Sequence, residues 1–450
     1  MLRSTFLKKI VIIGFGSAGY AALSTLKRLG CRDEITVIDP KESDLMHPCG
    51  IPYALEGEAD AAKINQNISL ERMGVKKIQG HVRGLDDRAK TVFVQTGDDE
   101  IYVPFDALLI CAGASPVIPP LKGIEQALGK GLFTLVNSAD LASIKQNLPG
   151  KKSGIVLGAG AIGLEAAAAL KKHLQSVCVI DMKKQLLPGV LDPDMADIVR
   201  SRLEEKGITF KLGHAVEELI FDDGFGGCIA GGEALTADIG ICAAGFRPHA
   251  SIVKGTAVET GPLGIVTDMH QQTSVNGIYA AGDCAVTRSV IDGKPIPAKL
   301  ATSAYRQGCI AAYGLAGMQK EYRGSAGTFV TAIAGLEIAG TGFTTETARE
   351  RGFDPVISKI NSHIRPDYFL SNRSITVKII ADRNTGKILG AQCIGTSGAA
   401  ERINIISCAI ALDIGLDRFE DIELAYCPAV SEVYDPLMRA AEGAQRRITR

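Results

Sequence analysis

The chain has 450 residues, 46% hydrophobic and 22% charged, with a formal net charge of −1, an ordinary globular composition on a chain too long for one core. A charge so close to zero, without a run of like charges, removes the electrostatic case for nucleic acid or an anionic membrane as partner, so small-molecule chemistry is the expectation. Eleven cysteines, odd in number and without framework spacing, fit a reducing compartment better than a disulfide scaffold, and no CxxC pair or Cys/His cluster points to a metal.

The segment before Lys9 lacks a long apolar core and a small-residue cleavage site, and the longest apolar stretch, residues 154–170, is glycine-rich and contains Glu165. Neither a secretory signal nor membrane insertion is expected, which makes a cytoplasmic location the reading.

The first predicted unit is strand, turn, helix, strand. Ile10-Val11-Ile12-Ile13 leads into Gly14-Phe15-Gly16-Ser17-Ala18-Gly19, a helix to Leu29, and Ile35-Thr36-Val37-Ile38-Asp39. The glycines permit a tight turn, close approach of backbone to a pyrophosphate and helix–strand contact, while Asp39 ends the second strand where a ribose hydroxyl needs an acceptor. A bare GxGxxG is weak evidence; between two apolar strands, with an acid at that distance, it is strong.

Cys49 follows, set between Pro48 and Gly50 just ahead of a plausible helix start. A helix N-terminus presents unpaired N–H groups that lower a nearby thiol's pKa from its free value of ~8.5, which makes Cys49 a candidate nucleophile. His47 lies two residues earlier, across the backbone restriction of Pro48, and is a candidate proton holder for a leaving thiol.

An apolar strand, Ala107-Leu108-Leu109-Ile110, runs out through Cys111, Ala112 and Gly113. The strand–turn–helix–strand unit then recurs: Gly154-Ile155-Val156-Leu157, the turn Gly158-Ala159-Gly160-Ala161-Ile162-Gly163, an alanine-rich helix, and Ser176-Val177-Cys178-Val179-Ile180-Asp181. Two fingerprints in complete context imply two dinucleotides. A matching exit strand, Ile239-Gly240-Ile241-Cys242, ends through Ala244-Gly245. A third apolar strand, Ile278-Tyr279-Ala280-Ala281, belongs with the first unit and ends in Gly282-Asp283, and a helix pattern follows from Ala298 to Ala316.

From about Gly324 the pattern becomes β-rich, with strands at 328–333 and 375–380 and a hairpin turn at Asp382-Arg383-Asn384-Thr385-Gly386 leading to a strand at 388–394. Helices at about 400–412 and from Ser431 to Ala441 complete a mixed unit with no phosphate loop.

Two fingerprints, the motif Cys49-Gly50-Ile51-Pro52-Tyr53, the Gly282-Asp283 strand end and a fingerprint-free C-terminal unit together resemble the pyridine nucleotide–disulfide oxidoreductases over essentially the whole chain. The match is to their single-cysteine branch, which includes coenzyme A disulfide reductases, NAD(P)H persulfide or polysulfide reductases, and NADH oxidases and peroxidases. The second cysteine of the glutathione reductase type would stand five positions on, where this chain has Ala54. The resemblance implies an α/β fold with two Rossmann-like dinucleotide-binding domains and a C-terminal α+β dimerisation domain. Their expected extents are 1–117 with 252–323 for FAD, 118–251 for NADH or NADPH, and 324–450 for dimerisation.

It also implies roles. FAD falls to Gly14, Gly16, Ser17, Gly19, Asp39, Ala112, Gly113, Gly282, Asp283 and Ala301, where Asp283 meets the ribityl chain and the helix start faces the ring. The pyridine nucleotide falls to Gly158, Gly160, Gly163, Glu165, Asp181 and Gly245, with Glu165 near the nicotinamide. Asp181 would accept from a 2′-hydroxyl and repel a 2′-phosphate, which favours NADH, although Lys183 and Lys184 pull the other way. Tyr426, in Tyr426-Cys427-Pro428, resembles a tyrosine that reaches the partner subunit's active cysteine, and Tyr368 resembles a second one. The implied function is FAD-dependent reduction of a disulfide, persulfide or polysulfide by NAD(P)H through Cys49, in a homodimer whose active site is shared. Oxidases and peroxidases carry a histidine at the position of Ser17, which argues against oxygen or peroxide as the dedicated acceptor. Two alternatives stay open: an NADH oxidase or peroxidase cycling Cys49 through a sulfenic acid, and a flavin electron-transfer or redox-sensing partner protein. If Tyr426 reaches the partner's Cys49, Cys427 enters the same neighbourhood.

Overall fold

The computed structural model describes residues 7–221, 224–297, 299–371 and 373–448. The chain forms two compact units, one of Met1–Pro48, Ala62–Pro116 and Phe246–Ser325, the other of Cys49–Ala61, Val117–Gly245 and Ala326–Arg450.

The first unit is built on a five-stranded parallel sheet in the order Ile278–Ala280, Ala107–Ile110, Lys9–Ile13, Glu34–Asp39, Val75–Gln79. Parallel strands are covered on both faces, so they read as unbroken apolar runs, and Ala107–Ile110 is buried at every position. The strand Ile278–Ala280 pairs in parallel with Ala107–Ile110, so the late strand does return to the first fingerprint's sheet. Helix Ser17–Arg28 packs along helix Ala301–Leu315. The contact is close because Gly308 lies against Ala18, where a Cβ would come 2.1 Å from the Ala18 carbonyl oxygen. The start of the pattern read from Ala298 lies outside the described residues; the helix itself begins at Ala301. Strands His81–Asp86, Thr91–Thr96 and Asp99–Pro104 add an antiparallel sheet that the sequence reading did not anticipate.

The second unit repeats the parallel arrangement in the order Leu132–Phe133, Ile239–Cys242, Ser153–Leu157, Ser176–Asp181, Ile208–Leu212. It also contains an antiparallel five-stranded sheet, Phe329–Ile333, Leu336–Gly342, Ile388–Gly395, Ser374–Asp382, Pro355–His363, backed by helices Ala399–Ala411 and Pro436–Ile448. The expected hairpin is present, with Ser374–Asp382 pairing antiparallel to Ile388–Gly395.

The last helix corrects an expectation: it begins at Pro436, not at Ser431. Ser431 is held in a turn instead, its Oγ accepting from the Cys427 amide and donating to the Ala425 carbonyl. Asp435 provides the helix start, accepting from the Leu437 amide at 2.8 Å. The short helix Ile51–Glu56, although it follows the first fingerprint in sequence, packs against helix Ala161–Lys171 of the second. A bond from His173 Nε2 to the Leu55 carbonyl and an ion pair from Lys172 to Glu56 fasten the two helices.

Candidate active site

Both glycine turns have room where phosphate groups are expected. Gly14 sits at φ 84°, and a Cβ there would fall 2.2 Å from the Cys111 carbonyl oxygen, so only glycine allows the turn to pass under the neighbouring strand. Gly16 is different: nothing lies within 4 Å of where its Cβ would be, and it occupies the N-cap of Ser17–Arg28 without a side-chain cap and with no acid in the first turn. Open space in front of uncapped helix N–H groups fits a pyrophosphate. The second turn repeats this, with Gly160 uncapped at the start of Ala161–Lys171 and nothing within 4 Å of its missing side chain.

The strand-end acids are held alike. Asp39 accepts from the Phe15 amide at 2.6 Å and the Lys41 amide at 2.8 Å; Asp181 accepts from the Ala159 and Lys183 amides, both at 2.7 Å. Asp39 Oδ1 and both Asp181 oxygens each retain a lone pair for a ribose hydroxyl, while Asp39 Oδ2 also accepts from the Lys41 ammonium. Asp283 follows the buried strand Ile278–Ala280 after Ala281 and Gly282. Burial pushes its carboxyl above the usual range against the opposing pull of Lys299, and the lysine ammonium bonds the Asp283 backbone carbonyl at 2.9 Å. A half-buried carboxyl of this kind suits a ribityl hydroxyl. The Gly282 amide beside it is pinned by Gln307 Oε1 at 2.8 Å, a buried contact from helix Ala301–Leu315 that sequence reasoning missed. The exits Gly113 and Gly245 both adopt positive φ, and the turn at Gly113 is tied by its carbonyl accepting from the His249 amide at 3.0 Å.

Cys49 lies in the single-turn helix Pro48–Gly50, immediately before Ile51–Glu56; it is exposed and in no disulfide. Ala54, where a second cysteine would stand, is completely buried, so the segment offers one sulfur. His47 is exposed, its amide bonded to the Ile64 carbonyl at 2.9 Å. Around the helix after Cys49 the second unit gathers Tyr53, Glu165 and Thr331. Burial pushes the Glu165 carboxyl up, partly offset by the Thr331 hydroxyl, which donates to it at 2.5 Å. Tyr53 is also raised, first by burial and then by the Glu165 charge, with a smaller contribution from Cys49, while the Ala332 backbone and Thr331 side chain act in the opposite direction. Thr331 was legible only as a lone hydroxyl inside the apolar run Phe329–Ile333.

The two tyrosines named from separate stretches meet. Tyr368 is pushed up by partial desolvation and by its hydrogen bond to Tyr426, with Glu432 and Cys427 close enough to add to the rise. Both rings are exposed, as are Leu370, Val430 and Val433 nearby in sequence. Among the described residues there is no group of three His, Cys, Asp or Glu side chains able to hold a metal, and no helix is long and apolar enough to cross a membrane.

Comparison with known proteins agrees with this architecture. An NADH oxidase of Methanocaldococcus jannaschii is 32% identical, covering 98% of this chain and 99% of its own. A CoA-dependent NAD(P)H sulfur oxidoreductase of Pyrococcus furiosus is also 32% identical, covering 96% and 98%. The solved NAD-dependent persulfide reductase of A. fulgidus superposes with a TM-score of 0.93 at 29% identity, covering 98% of this chain and 83% of that one. Residues 8–308 match the pyridine nucleotide-disulphide oxidoreductase family and residues 328–437 its dimerisation domain, so the chain belongs to the pyridine nucleotide-disulphide oxidoreductases.

Proposed function

We propose that the protein is an FAD-dependent NAD(P)H oxidoreductase that reduces a disulfide, persulfide or polysulfide through Cys49, working in the cytoplasm as a homodimer. The observation that carries the reading is the exposed Cys49 with a buried Ala54 in place of a second sulfur, on a segment fastened to the helix that bears Glu165. With no second sulfur in its own motif, Cys49 in this reading takes its disulfide partner from the substrate.

In this reading Gly14, Gly16, Gly19, Asp39 and Asp283 hold FAD, and Gly158, Gly160, Gly163 and Asp181 hold the pyridine nucleotide, with Glu165 at the nicotinamide. FAD, when bound, supplies hydride acceptance and two-electron transfer. Cys49 attacks a substrate sulfur as thiolate, forms a mixed disulfide or persulfide, and returns to thiolate with the arrival of two electrons. The Tyr368–Tyr426 pair of one subunit orients the substrate at Cys49 of the other. The sulfur relatives of Pyrococcus and A. fulgidus support the acceptor class.

A second reading, NADH oxidase with Cys49 cycling through a sulfenic acid, is favoured by the M. jannaschii relative. Anaerobic turnover with NADH and a coenzyme A disulfide, a polysulfide and a simple alkyl disulfide, set against oxygen and peroxide, separates the two. Sulfur reduction that exceeds oxygen and peroxide turnover and falls about a thousandfold in Cys49→Ser is the expected result. Oxygen turnover that outpaces every sulfur acceptor would sink it.

A further inference from the structure

The second unit holds a cavity of about 520 Å³ lined by neither a glycine turn nor Cys49. Its wall carries four cations, Lys171, Lys172, Arg202 and Lys206, against two carboxylates, Glu56 and Glu58. Its place sets it apart from the dinucleotide. Lys171 ends helix Ala161–Lys171, Lys206 follows helix Pro193–Glu205, and Ile208 opens strand Ile208–Leu212, so the cavity lies at the amino ends of the parallel strands. The glycine turn lies at their carboxyl ends, where open α/β sheets take nucleotides, and the eleven-residue helix between puts the two about 16 Å apart.

Basic residues in the last turn of a helix ordinarily answer its macrodipole. Lys171 does so in part, its Nζ donating to the Gln175 carbonyl at 2.8 Å, and Lys172 pairs with Glu56 at 3.2 Å. Arg202 gives Nε to the Ala334 carbonyl at 3.3 Å and Nη1 to Glu205 at 3.1 Å. These bonds fix the wall without using all its donors. Among the described residues Nη2 of Arg202 and the exposed ammonium of Lys206 have no hydrogen-bond or ion-pair partner. Two glycines leave the half-buried cations uncovered: a Cβ at Gly207 would lie 3.6 Å from Lys171 Nζ, and one at Gly335 would lie 3.8 Å from Arg202 Nη2. Between the charges the wall is apolar, from Ala168, Ile208 and Ala334.

We propose that this cavity binds the phosphate groups of a phosphorylated small molecule of nucleotide size, at a site separate from both dinucleotides. The inference is independent of the reading of Cys49. A phosphate offers oxygens in several directions and accepts from cations on two helices at once, which a planar carboxylate does less well. Positive charge in excess over the carboxylates favours an anion in such a concave place. The volume falls within the roughly 300–1,000 Å³ of small-molecule sites, and the apolar wall gives an organic portion a surface to cover. Glu58, exposed and without a side-chain partner among the described residues, opposes the anion from the rim. A molecule seated here lies against the far ends of helix Ile51–Glu56, which follows Cys49, and of the helix that carries Glu165.

The test is calorimetric titration of the FAD-loaded protein with ADP and with inorganic pyrophosphate, each under saturating NAD+ so that the second glycine turn is filled. ADP should bind with a Kd of about 100 μM and pyrophosphate about tenfold more weakly, both losing affinity as salt rises. Lys206→Glu should weaken ADP more than about tenfold while the KM for NADH stays within about twofold of the wild type. Glu58→Gln should strengthen ADP about threefold, a gain that a folding defect cannot imitate. Absence of binding, affinities that neither variant changes, or pyrophosphate binding as tightly as ADP overturns the proposal. A loss of NADH affinity in Lys206→Glu equal to the loss of ADP affinity would put the anion in the dinucleotide's own site and overturn it as well.

Discussion

The two glycine turns are built on one plan and buttressed on two. In each, the strand-end acid takes two backbone amides, one from the turn and one from the residue two positions past it. Around the first, the support is local: helix Ser17–Arg28 lies on helix Ala301–Leu315, Gln307 pins Gly282, and Lys41 closes over Asp39 at 2.5 Å, leaving that acid 2% exposed. Around the second, the support comes from the C-terminal sheet: Thr331 on Glu165, and Lys378 on Asp192 and Asp194 at the start of helix Pro193–Glu205. Asp181 is half-buried, with Lys183 and Lys184 beside it exposed. The difference matches two duties. In the reading proposed above, a cofactor that stays is served by a closed acid on a frame of its own, and a nucleotide that leaves at each turnover by an open acid on a frame tied to the helix that carries Glu165.

The largest effect should come from cutting the second frame. Lys378 is 5% exposed and joins two aspartates, and Asp192, 3% exposed, also accepts from the Thr345 amide at 2.9 Å. Removing the lysine leaves a buried carboxylate without its counter-charge, a loss of about 3–5 kcal/mol. Lys378→Leu should therefore lower the thermal midpoint markedly and raise the KM for NADH while FAD is retained; loss of FAD in parallel would contradict the separate frames. The same network carries a pH signature. Burial raises the Asp194 carboxyl, but Lys378 and Lys359 outweigh it and hold it below the ordinary value. The stabilisation is present above about pH 4 and lost as pH falls below it, and Lys378→Leu should flatten that acid limb.

Next in size, Gly16→Ala and Gly160→Ala should each injure one cofactor and spare the fold. Each added methyl meets open space in the protein, and Gly16 already has an extended backbone that alanine tolerates. The cost to stability is about 1 kcal/mol or less. Against a closely approaching pyrophosphate, the same methyl should cost about a hundredfold in affinity. Fluorescence titration of the apoprotein with FAD reads the first, and the KM for NADH reads the second. An effect of Gly160→Ala on FAD equal to that on NADH would merge the two sites into one.

Much of this frame was legible because its signals are local. Glycine spacing, apolar strands and a terminal acid all fall within thirty residues or so, and Ala54 beside Cys49 was readable as a missing thiol. The antiparallel strands at 81–104 and 216–236 were not, because short half-exposed strands carry no strong periodicity. Tyr53 was visible only as a motif letter. Its partners Thr331 and Glu165 are more than a hundred residues away, and the pairing of Lys378 with Asp192 joins stretches equally remote in sequence. Ser431 misled because serine suits a helix start and a turn equally well, and here the turn at Cys427 takes it.

A third prediction sharpens the contrast between the acids. Asp181→Ala removes the acceptor for a 2′-hydroxyl and the repulsion of a 2′-phosphate, leaving Lys183 and Lys184 to attract the latter. The ratio of kcat/KM for NADH over NADPH should exceed one in the wild type and fall about ten- to a hundredfold in the variant. A wild-type ratio at or below one would mean that the lysines already outweigh the acid.

The smallest expected effect separates the closed acid from the open one. Lys41 and Lys183 stand at the same place in the two turns, and each gives its amide to the acid two residues before it. Only Lys41 also brings its ammonium, 2.5 Å from Asp39 Oδ2, with the lysine side chain 27% exposed and the aspartate 3%. That pair is partly screened, so Lys41→Met should cost about 1 kcal/mol, a fall of about 1 °C in the thermal midpoint of the apoprotein. FAD should also bind about fivefold more weakly, because the Asp39 carboxylate is then less firmly aimed. Lys183→Met removes an exposed side chain that makes no ion pair with Asp181 among the described residues, and its effect should stay within about 0.5 kcal/mol. Differential scanning of both apoproteins, with FAD titration of the first and NADH kinetics of the second, reads the contrast directly. Equal shifts in the two variants would show that the Lys41 ammonium does not distinguish the sites, and that the permanence of one cofactor has to come from the helix frame and Asp283 alone.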